Sequence, residues 1–346
     1  MRSRRPEGSR ELALVTGATG AIGPVLVRRL LAAGLRVRAL VRRPVASHEI
    51  DREVEVVHGD LRDPEALARA TDDARYVFHL GAKVHVRRPT REEWSEIFEI
   101  NSMATERIVE ASRSAGARRL VFFSTINVYG PTAMGIDVDE DASPSPRTAY
   151  ALAKLEAEAH VLSATNAEGA AIGTVLRVAA VYGSRLRGNW ARLVEAMARG
   201  RMVIVGRGEN RRTLVHEEDL AEAALLAALD DRASGRVYNV TDGGFHRLRD
   251  IIAAIAHARG REPRLLRVPE AIARSAAFAV EVAFRSLRKT PPVDREIVAK
   301  LFEDVAVRGD RIQKELGFRP RLGLEEGWRL ALAGESERGT GAMGAD

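Results

Sequence analysis

The chain has 346 residues, which is enough for one large domain or two modest ones. Its 54 basic and 48 acidic residues give a net charge of +6, and 45% of the residues are hydrophobic, which is typical of a folded globular protein. The arginines are spread among acidic residues rather than gathered into a basic stripe, so we expect no nucleic-acid partner. The absence of cysteine excludes disulfides, thiolate catalysis and thiolate metal sites, and the spacing of the histidines predicts no metal site.

The apolar stretch at residues 268–287 contains four charged residues, which argues against a membrane span. The basic residues 1–10 lead directly into a strand-like segment, without the apolar region of a signal peptide. We therefore expect a cytoplasmic protein that has no membrane partner.

In chain order, residues 11–180 alternate short β-branched runs with longer helical patterns. The predicted strands are residues 11–16, 35–41, 54–59, 74–80, 117–125 and 171–178. The predicted helices between them are residues 21–34, 64–73, 92–116 and 150–167. This alternation predicts an α/β fold of the Rossmann type, in which a doubly wound parallel sheet is covered on both faces.

After Val181 the alternation becomes less regular. We predict a dinucleotide-binding domain at residues 11–180, to which residues from about 213 to 242 return. A smaller C-terminal substrate-binding lobe would comprise residues 181–212 and 243–332. Residues 1–10 and 335–346 have the composition of disordered tails.

The segment Thr16–Gly23, with the sequence TGATGAIG, lies between the first predicted strand and the first predicted helix. Glycines here allow a tight turn, let a pyrophosphate approach the backbone, and let the helix pack closely on the sheet. The N-terminus of the helix supplies N–H groups and a partial positive charge to the phosphates. The turn therefore predicts a dinucleotide site that contains Gly17, Thr19, Gly20, Ala21, Ile22 and Gly23.

The end of the second predicted strand bears on the choice of dinucleotide. An acidic residue there accepts the 2′-hydroxyl of NAD, whereas an arginine suits the 2′-phosphate of NADP. The sequence has Arg42 and Arg43 and no acid, which favours NADP(H), with NAD(H) as the alternative. The competing interpretation is that both arginines are simply exposed charges.

Further cofactor-binding candidates follow the third and fourth predicted strands. Asp60, in the segment HGDLRD, can accept a hydrogen bond from the adenine amine beside Leu61, whereas Asp63 is the better candidate for a helix N-cap. The fourth strand ends in small residues whose backbone would line the cofactor, namely Leu80, Gly81 and Ala82.

Tyr150 and Lys154 are four residues apart, and this spacing predicts that they share one face of a helix. A phenol titrates near pH 10, and a neighbouring ammonium should bring its pKa toward the working range of an acid–base group. A hydroxyl at the end of the fifth strand, in residues 122–130, could bond the substrate oxygen and stabilise a developing alkoxide. The alternative is that such hydroxyls only satisfy the backbone of a turn.

The motifs TGATGAIG, HGDLRD, HLGA, STINVYG, YALAK and LRVAAVYG together resemble the extended short-chain dehydrogenase/reductases, the NAD-dependent epimerase/dehydratase family. The resemblance covers about residues 11–332 and implies hydride transfer at a carbon that bears oxygen. It implies that Thr125 is the catalytic hydroxyl, that Tyr150 is the acid–base group, and that Lys154 assists and holds the nicotinamide ribose.

The resemblance has further implications for the site and the assembly. Asn101 and Ser124 match cofactor-pocket positions, and Arg177 and Val178 end the sixth strand, where the family lines the nicotinamide site. The family also implies a homodimer formed through the helices at residues 92–116 and 150–167.

Two departures from the family pattern narrow the activity. Dehydratases carry an acidic pair directly after the catalytic threonine, but this chain has Ile126 and Asn127, which disfavours 4,6-dehydration. Ala180 replaces the asparagine that many sugar-nucleotide epimerases use on their substrate.

Substrate-side candidates come from the same resemblance. In sugar-nucleotide relatives, an asparagine and an arginine contact the diphosphate and nucleotide, which implies Asn189 and Arg212 here. Lys83, in the segment HLGAKVHV, and Thr125 complete the predicted substrate-binding set.

Three functions are compatible with these motifs. The leading hypothesis is an NAD(P)-dependent epimerase or reductase of a nucleotide sugar. The alternative is an NADPH-dependent reductase or dehydrogenase of a less polar ketone or alcohol, like the flavonoid-reductase-like and hydroxysteroid-dehydrogenase-like relatives. The segment VRALVRRP resembles that branch, and the apolar helix from Val268 could line an apolar pocket. A non-catalytic dinucleotide sensor is disfavoured, because Thr125, Tyr150 and Lys154 are all present.

Overall fold

The structure is a computed structural model that describes residues 10–44, 50–83, 89–186, 188–199, 203–263, 266–286 and 303–341. The central strands are β1 (Leu12–Thr16), β2 (Arg36–Val41), β3 (Glu55–His58), β4 (Ala74–His79), β5 (Arg119–Thr125), β6 (Gly173–Val178) and β11 (Val237–Val240). They form a parallel sheet in the order β11-β6-β5-β4-β1-β2-β3. The six strands predicted from residues 11–178 and the Rossmann-type doubly wound α/β fold are therefore confirmed.

Helices cover both faces of the sheet and enclose two hydrophobic cores. Over one face, α1 (Gly23–Ala32) packs against α7 (Glu217–Leu229). Over the other face lie α2 (Pro64–Thr71), α4 (Ala104–Ser114) and α5 (Ala149–Leu162). Burial on both faces explains why the central strands are nearly continuous apolar runs.

The long helix predicted at residues 92–116 is interrupted in the structure. α3 (Arg91–Phe98) begins after Thr90, which forms a capping box with Glu93. A π-helical turn at Glu99–Met103 then separates α3 from α4. Asn101, within this turn, is fully buried and hydrogen-bonds to the backbone of Lys83. The irregular turn therefore lies beside the loop that follows β4.

The smaller lobe is built from short strand pairs and helices. The pairs are β7 (Ala180–Tyr182) with β10 (Leu214–His216), β8 (Val203–Val205) with β13 (Leu266–Val268), and β9 (Arg211–Arg212) with β12 (His246–Arg247). The helices are α6 (Gly188–Ala198), α8 (Leu248–Ala258), α9 (Glu270–Ser286), α10 (Asp310–Leu316) and α11 (Leu324–Gly341). Trp328 of α11 is fully buried in this lobe and stacks on Tyr182 with ring centroids 4.8 Å apart.

Part of the segment assigned to the second lobe belongs to the first core instead. Val307, Ile312, Leu316 and Phe318 are buried with the residues of β1, α1 and α7. The physical reason is that α10 packs on β11, the edge strand of the sheet, whose apolar side chains need cover. The predicted boundary at residues 243–332 was therefore wrong for these residues.

The predicted disordered tail from Glu335 was also wrong in part, because α11 continues to Gly341. The preceding turns of α11 are fixed by the burial of Trp328, Ala331 and Leu332, and the helix extends from that anchored part. Residues 1–9 and 342–346 lie outside the described residues.

The apolar helix predicted from Val268, a candidate lining for an apolar pocket, corresponds to α9. In α9, Ile272, Phe278 and Val282 are 58%, 50% and 51% exposed, so these side chains do not line an enclosed pocket formed by the described residues. Within the described ranges, no helix combines the length and the apolar composition needed to cross a bilayer.

Candidate active site

The carboxyl ends of β1 and β4 lie side by side at the point where the order of the strands reverses. The chain continues from β1 to β2 and β3 on one side, and from β4 to β5 and β6 on the other. In open parallel sheets, such a reversal leaves a crevice outside the carboxyl ends of the strands, and ligands bind there. The turn after β1, the loop after β4 and the segment after β5 all lie at this edge.

The glycine turn leaves no room for side chains at its key positions. Gly17 has a φ of +74°, and a Cβ there would lie 3.0 Å from the amide nitrogen of Gly81. A Cβ at Gly23 would lie 2.2 Å from the carbonyl oxygen of Ala18. Glycine at both positions therefore allows the tight turn that places the N-terminus of α1 at this edge of the sheet, where its N–H groups can bind a ligand. The other predicted members of the turn are partly exposed: Thr19, Gly20, Ala21 and Ile22.

The predicted adenosine side of the site lies at the ends of β2 and β3. Arg42 is exposed, and in the described part of the chain no carboxylate forms an ion pair with it. Both carboxylate oxygens of Asp60 accept hydrogen bonds from Arg62, and these bonds lower the pKa of Asp60 below its usual value. Asp63 caps α2 by accepting from the backbone N–H of Glu65, so its predicted role as N-cap is confirmed.

The loop after β4 is held from two directions. Asn101 binds both backbone groups of Lys83: its Oδ1 accepts from the Lys83 N–H at 2.8 Å, and its Nδ2 donates to the Lys83 carbonyl at 2.9 Å. The Lys83 ammonium forms an ion pair with Glu96, so its predicted contact with substrate remains a prediction. On the other side, a Cβ at Gly81 would lie 2.6 Å from Leu61. The predicted neighbours Leu80 and Ala82 flank Gly81 in this loop.

The first turns of α5 carry Tyr150 and Lys154, and Thr148 is the N-cap of this helix, with its hydroxyl oxygen accepting from the backbone N–H of Ala151. The Lys154 side chain is only 1% exposed. Its Nζ donates to the carbonyl oxygen of Phe123 at 2.8 Å and lies 4.3 Å from the centre of the Phe122 ring. Burial lowers the pKa of Lys154 to about 7, although the charge of nearby Glu158 opposes this effect.

The pKa of Tyr150 contradicts the expectation that Lys154 brings it toward neutral pH. Burial of the phenol raises the pKa of Tyr150 to about 12. Among the described residues, none forms a hydrogen bond with the Tyr150 hydroxyl, and the Lys154 ammonium is directed to the Phe123 carbonyl instead. The loss of solvent therefore dominates, and the neutral phenol is favoured.

Thr125 is the last residue of β5 and lies beside Val178, its partner in the register with β6. Its hydroxyl oxygen accepts from the backbone N–H of Asn127 at 3.2 Å, which leaves its proton for another acceptor. Ser124, a predicted cofactor contact, is buried, and its hydroxyl donates into the protein interior, to Glu158.

A buried ion pair beneath the site was not identified from the sequence. Arg177 binds Glu158 through two nitrogens, with an Nη2–Oε2 distance of 2.7 Å, and both side chains are at most 7% exposed. Burial disfavours the charge of Arg177, but the bonds from Glu158 outweigh it and raise the pKa of Arg177. Arg177 also donates to the hydroxyl of Tyr129. The signal that could have found the pair is the spacing of Glu158, four residues after Lys154 on one helical face.

His79 is the second residue whose role was missed. It is the last residue of β4, is fully buried, and has a hydrogen bond at each ring nitrogen. A histidine among apolar residues at the end of a predicted strand was the available signal.

The substrate-side candidates are less completely described. The side chain of Asn189 lies outside the described residues. Arg212 is partly buried in β9, and burial lowers its pKa, while the nearby carboxylates of Glu303 and Asp304 act in the opposite direction. Ala180 is the first residue of β7 and is separated from the end of β6 by one residue, Ala179.

Comparison with known proteins identifies the family. The model of the NAD dependent epimerase/dehydratase family matches residues 13–241. The chain belongs to this family, as its extended short-chain dehydrogenase/reductase motifs predicted.

Individual relatives include reductases and a protein solved with a nucleotide sugar. The 4-hydroxy-2-methyl-3-oxo-4-farnesyl-3,4-dihydroquinoline-1-oxide ketoreductase of Stigmatella aurantiaca is 29% identical, over 95% of this chain and 98% of that protein. The ceramide reductase of Caulobacter vibrioides is 32% identical, over 82% of each chain. The structure of MoeE5 in complex with UDP-glucose and NAD is 28% identical and superposes with a TM-score of 0.73, covering 95% of this chain and 99% of that one.

Proposed function

We propose that the protein is an NAD(P)H-dependent reductase that converts a ketone to an alcohol, with Tyr150 as the proton donor. The observation that carries this proposal is the placement of Tyr150 and Lys154 on the first turns of α5, which packs on β5, the strand that ends at Thr125. The Tyr150 phenol is neutral at neutral pH, since burial raises its pKa to about 12, and it can give its proton to a substrate oxygen. The reductive direction is supported by two relatives that are named as reductases.

The glycine turn supports a dinucleotide as the cofactor, because glycine at positions 17 and 23 lets the backbone pack tightly against Gly81 and Ala18 between β1 and the N-terminus of α1, as in dinucleotide-binding turns. A nicotinamide dinucleotide supplies the hydride when bound. The N–H groups at the start of α1 would hold its pyrophosphate. Lys154 would hold the ribose through the N–H groups of its ammonium that do not donate to the Phe123 carbonyl. The exposed Arg42 favours NADP(H) over NAD(H).

Lys154 and Thr125 support the loss of the proton from Tyr150. As the proton moves to the substrate oxygen, a phenolate develops in a buried position, where a nearby ammonium lowers its energy. With a pKa of about 7, Lys154 is charged in about half of the molecules at neutral pH. The Thr125 hydroxyl would donate a hydrogen bond to the same substrate oxygen, since its own oxygen only accepts from the backbone.

For the substrate, we favour a ketone that carries an apolar chain. The names of the two curated relatives describe a farnesyl-bearing quinoline oxide and a ceramide, both of which have long apolar groups. The residues that depart from the sugar-nucleotide pattern point the same way: Ile126 and Asn127 are not acidic, and Ala180 has no amide.

A nucleotide sugar is the second candidate substrate, with epimerisation as the second candidate reaction. MoeE5, at 28% identity, is described with UDP-glucose bound. The partly buried guanidinium of Arg212 would suit a diphosphate. These two observations keep the hypothesis that the sequence motifs favoured.

The test is a comparison of two substrate panels. We would follow NADPH consumption with long-chain ketones and 3-oxo esters, and sugar interconversion with UDP- and dTDP-glucose. The proposal predicts turnover of the apolar ketones, and Tyr150→Phe should lower kcat by roughly 10²- to 10⁴-fold while dinucleotide affinity is kept. Tyr182→Phe is the matched control, since its buried hydroxyl has no partner among the described residues. Conversion of a nucleotide sugar without reduction of any ketone would replace the proposal with the second candidate.

A further inference from the structure

His79 lies beneath the crevice at the edge of the sheet. It is fully buried and stacks on Phe122, with ring centroids 5.6 Å apart and an interplanar angle of 23°. Its Nδ1 is 2.7 Å from the hydroxyl of Thr16, at the end of β1, and its Nε2 is 3.0 Å from the hydroxyl of Thr105, in α4. The ring therefore links the strand that precedes the glycine turn to the helix that follows the π-helical turn.

The direction of each hydrogen bond follows from counting protons. The Thr105 hydroxyl donates its one proton to the carbonyl oxygen of Asn101 at 2.9 Å, so toward His79 it can only accept. The proton of a neutral His79 is therefore on Nε2, and Nδ1 is an acceptor. The Thr16 hydroxyl donates to Nδ1 and accepts from the N–H of Gly81 at 3.2 Å.

These bonds hold both ends of one loop. On one side, His79 orients Thr16, which binds the N–H of Gly81. On the other side, Thr105 binds the carbonyl of Asn101, whose side chain binds both backbone groups of Lys83. The loop Leu80–Lys83 is thus fixed at Gly81 and at Lys83 through one imidazole ring. Gly81 is also the group against which Gly17 of the glycine turn packs.

We propose that His79, as the neutral Nε2–H tautomer, is a positioning residue that fixes the loop Leu80–Lys83 against the glycine turn and thereby sets the affinity for the dinucleotide. The inference rests on the proposed function, because it assumes that the dinucleotide lies along these two segments. His79 touches neither cofactor nor substrate in this arrangement and acts through Thr16 and Thr105.

The chemistry of the ring supports a fixed neutral state. Burial, with a smaller contribution from the charge of Lys154, lowers the pKa of His79 to about 3. A second proton on Nδ1 would point at the Thr16 oxygen, which already accepts from Gly81, and the Thr16 proton would lose its acceptor.

The first test reads the tautomer directly in the wild-type protein. Nitrogen-15 NMR of histidine-labelled protein, with the His79 signal assigned as the one that His79→Asn lacks, should show that His79 is protonated on Nε2 only and is unchanged between pH 5 and pH 8, where exposed histidines titrate. A His79 signal protonated on Nδ1, or a second proton gained by His79 in this range, would overturn the proposal.

The second test measures NADPH affinity by fluorescence in variants that can each keep only one of the two hydrogen bonds of His79. In His79→Asn the amide oxygen can replace Nδ1 as acceptor for Thr16, whereas in His79→Gln the amide nitrogen can replace Nε2 as donor to Thr105. We expect His79→Phe to raise the Kd for NADPH by roughly 10- to 100-fold, as for other groups that orient a binding residue. His79→Asn should restore more affinity than His79→Gln, because the Thr16 side adjoins the glycine turn.

The control is His216→Asn, since His216 is also buried but caps α7 in place of supporting the loop. A Kd for His79→Phe within about twofold of the wild-type value would overturn the proposal. If His79→Phe does not fold, the order of the Asn and Gln variants decides. Because binding is measured without a ketone, weak binding of both NADPH and NADH by the wild type would count against the proposed function, whereas equal binding by all variants would count against His79 alone.

Discussion

At the scale of a single residue, the proposed chemistry requires a buried lysine, Lys154, and the burial of its charge lowers the stability of the folded protein. Its ammonium is buried against Phe122 and the Phe123 carbonyl, so the charged form loses most of its hydration. The same loss of water would strengthen its interaction with a phenolate at Tyr150. The site thus keeps a destabilising group where a developing negative charge is expected.

The replacement Lys154→Met should therefore change how stability depends on pH. The pKa of Lys154 is about 7 in the folded protein against 10.5 for a free lysine, so between these values the unfolded chain binds a proton that the folded chain has released. The unfolding free energy of the wild type should therefore rise, relative to that of the variant, as the pH rises through that window. Below pH 7, Lys154 is charged in both states, and burial of its charge should lower the unfolding free energy by the full amount, at most about 5 kcal/mol. Urea unfolding on both sides of pH 7 checks this, and the variant should be relatively more stable at the lower pH while its turnover is lost. Parallel pH profiles for the two proteins would contradict the buried-charge argument.

Arg42 tests the choice of cofactor. Its exposed guanidinium has no ion-pair partner in the described part of the chain and can bind a 2′-phosphate. We expect Arg42→Ala to raise the Kd for NADPH by about tenfold and to leave the Kd for NADH nearly unchanged, since one charge-assisted hydrogen bond is lost. Arg43→Ala is measured alongside, because Arg43 is the other arginine at this strand end. Tighter wild-type binding of NADH than of NADPH would show that the preference for NADP(H) is wrong.

At the scale of the element, the sequence predicted the regular structure and missed the exceptions. The six strands of the first half and the cap at Asp63 were predicted correctly, because apolar runs and capping residues are local signals. The π-helical turn was not, since a helical pattern with one inserted residue still has nearly helical periodicity. The pKa of Tyr150 could not be predicted either, because it depends on burial that only the packed structure determines.

For the same reason, only those parts of the site that lie in one local segment could be predicted from the sequence. Tyr150 and Lys154 follow from spacing on one helix, and the glycine turn follows from its own sequence. The contacts of His79 with Thr16 and Thr105 join residues 63 and 26 positions apart, which no local pattern reveals.

The close packing of the glycine turn predicts that a side chain at Gly23 will disturb it. In Gly23→Ala the new Cβ would lie 2.2 Å from the Ala18 carbonyl, which is backbone and cannot rotate away. We expect a loss of about 1–3 kcal/mol in unfolding free energy and weaker dinucleotide binding, because the turn must shift. Gly323→Ala is the matched control, since a Cβ there meets no atom within 4 Å. Thermal melts and NADPH titrations of both variants provide the measurement, and equal behaviour would contradict the packing argument.

At the scale of the whole molecule, the chain passes more than once between the core that contains the central sheet and the core of the smaller lobe. The first core takes residues from both the N-terminal half and the segment around Phe318, so the two lobes are interleaved in sequence. Exposed apolar side chains remain on the helices that the family resemblance assigns to a dimer interface. Trp94 and Met103 are 42% and 39% exposed there.

We expect a homodimer that buries this surface. Light scattering after size exclusion should give the dimer mass for the wild type, and Met103→Glu should shift the equilibrium toward the monomer, because an unpaired charge would be buried. Met134→Glu is the control, since Met134 is 79% exposed and lies outside these helices. A wild-type protein that remains monomeric at high concentration would contradict the expectation.

The π-helical turn also limits how this chain can change by deletion. Loss of one codon within residues 99–103 would restore a regular helix and rotate α3 relative to α4 by about 100°. The Asn101 amide would then turn away from Lys83, even where the deleted residue is one of its neighbours. Single deletions there should be tolerated far less well than point substitutions, so this segment should accept a change of residue more readily than a change of length.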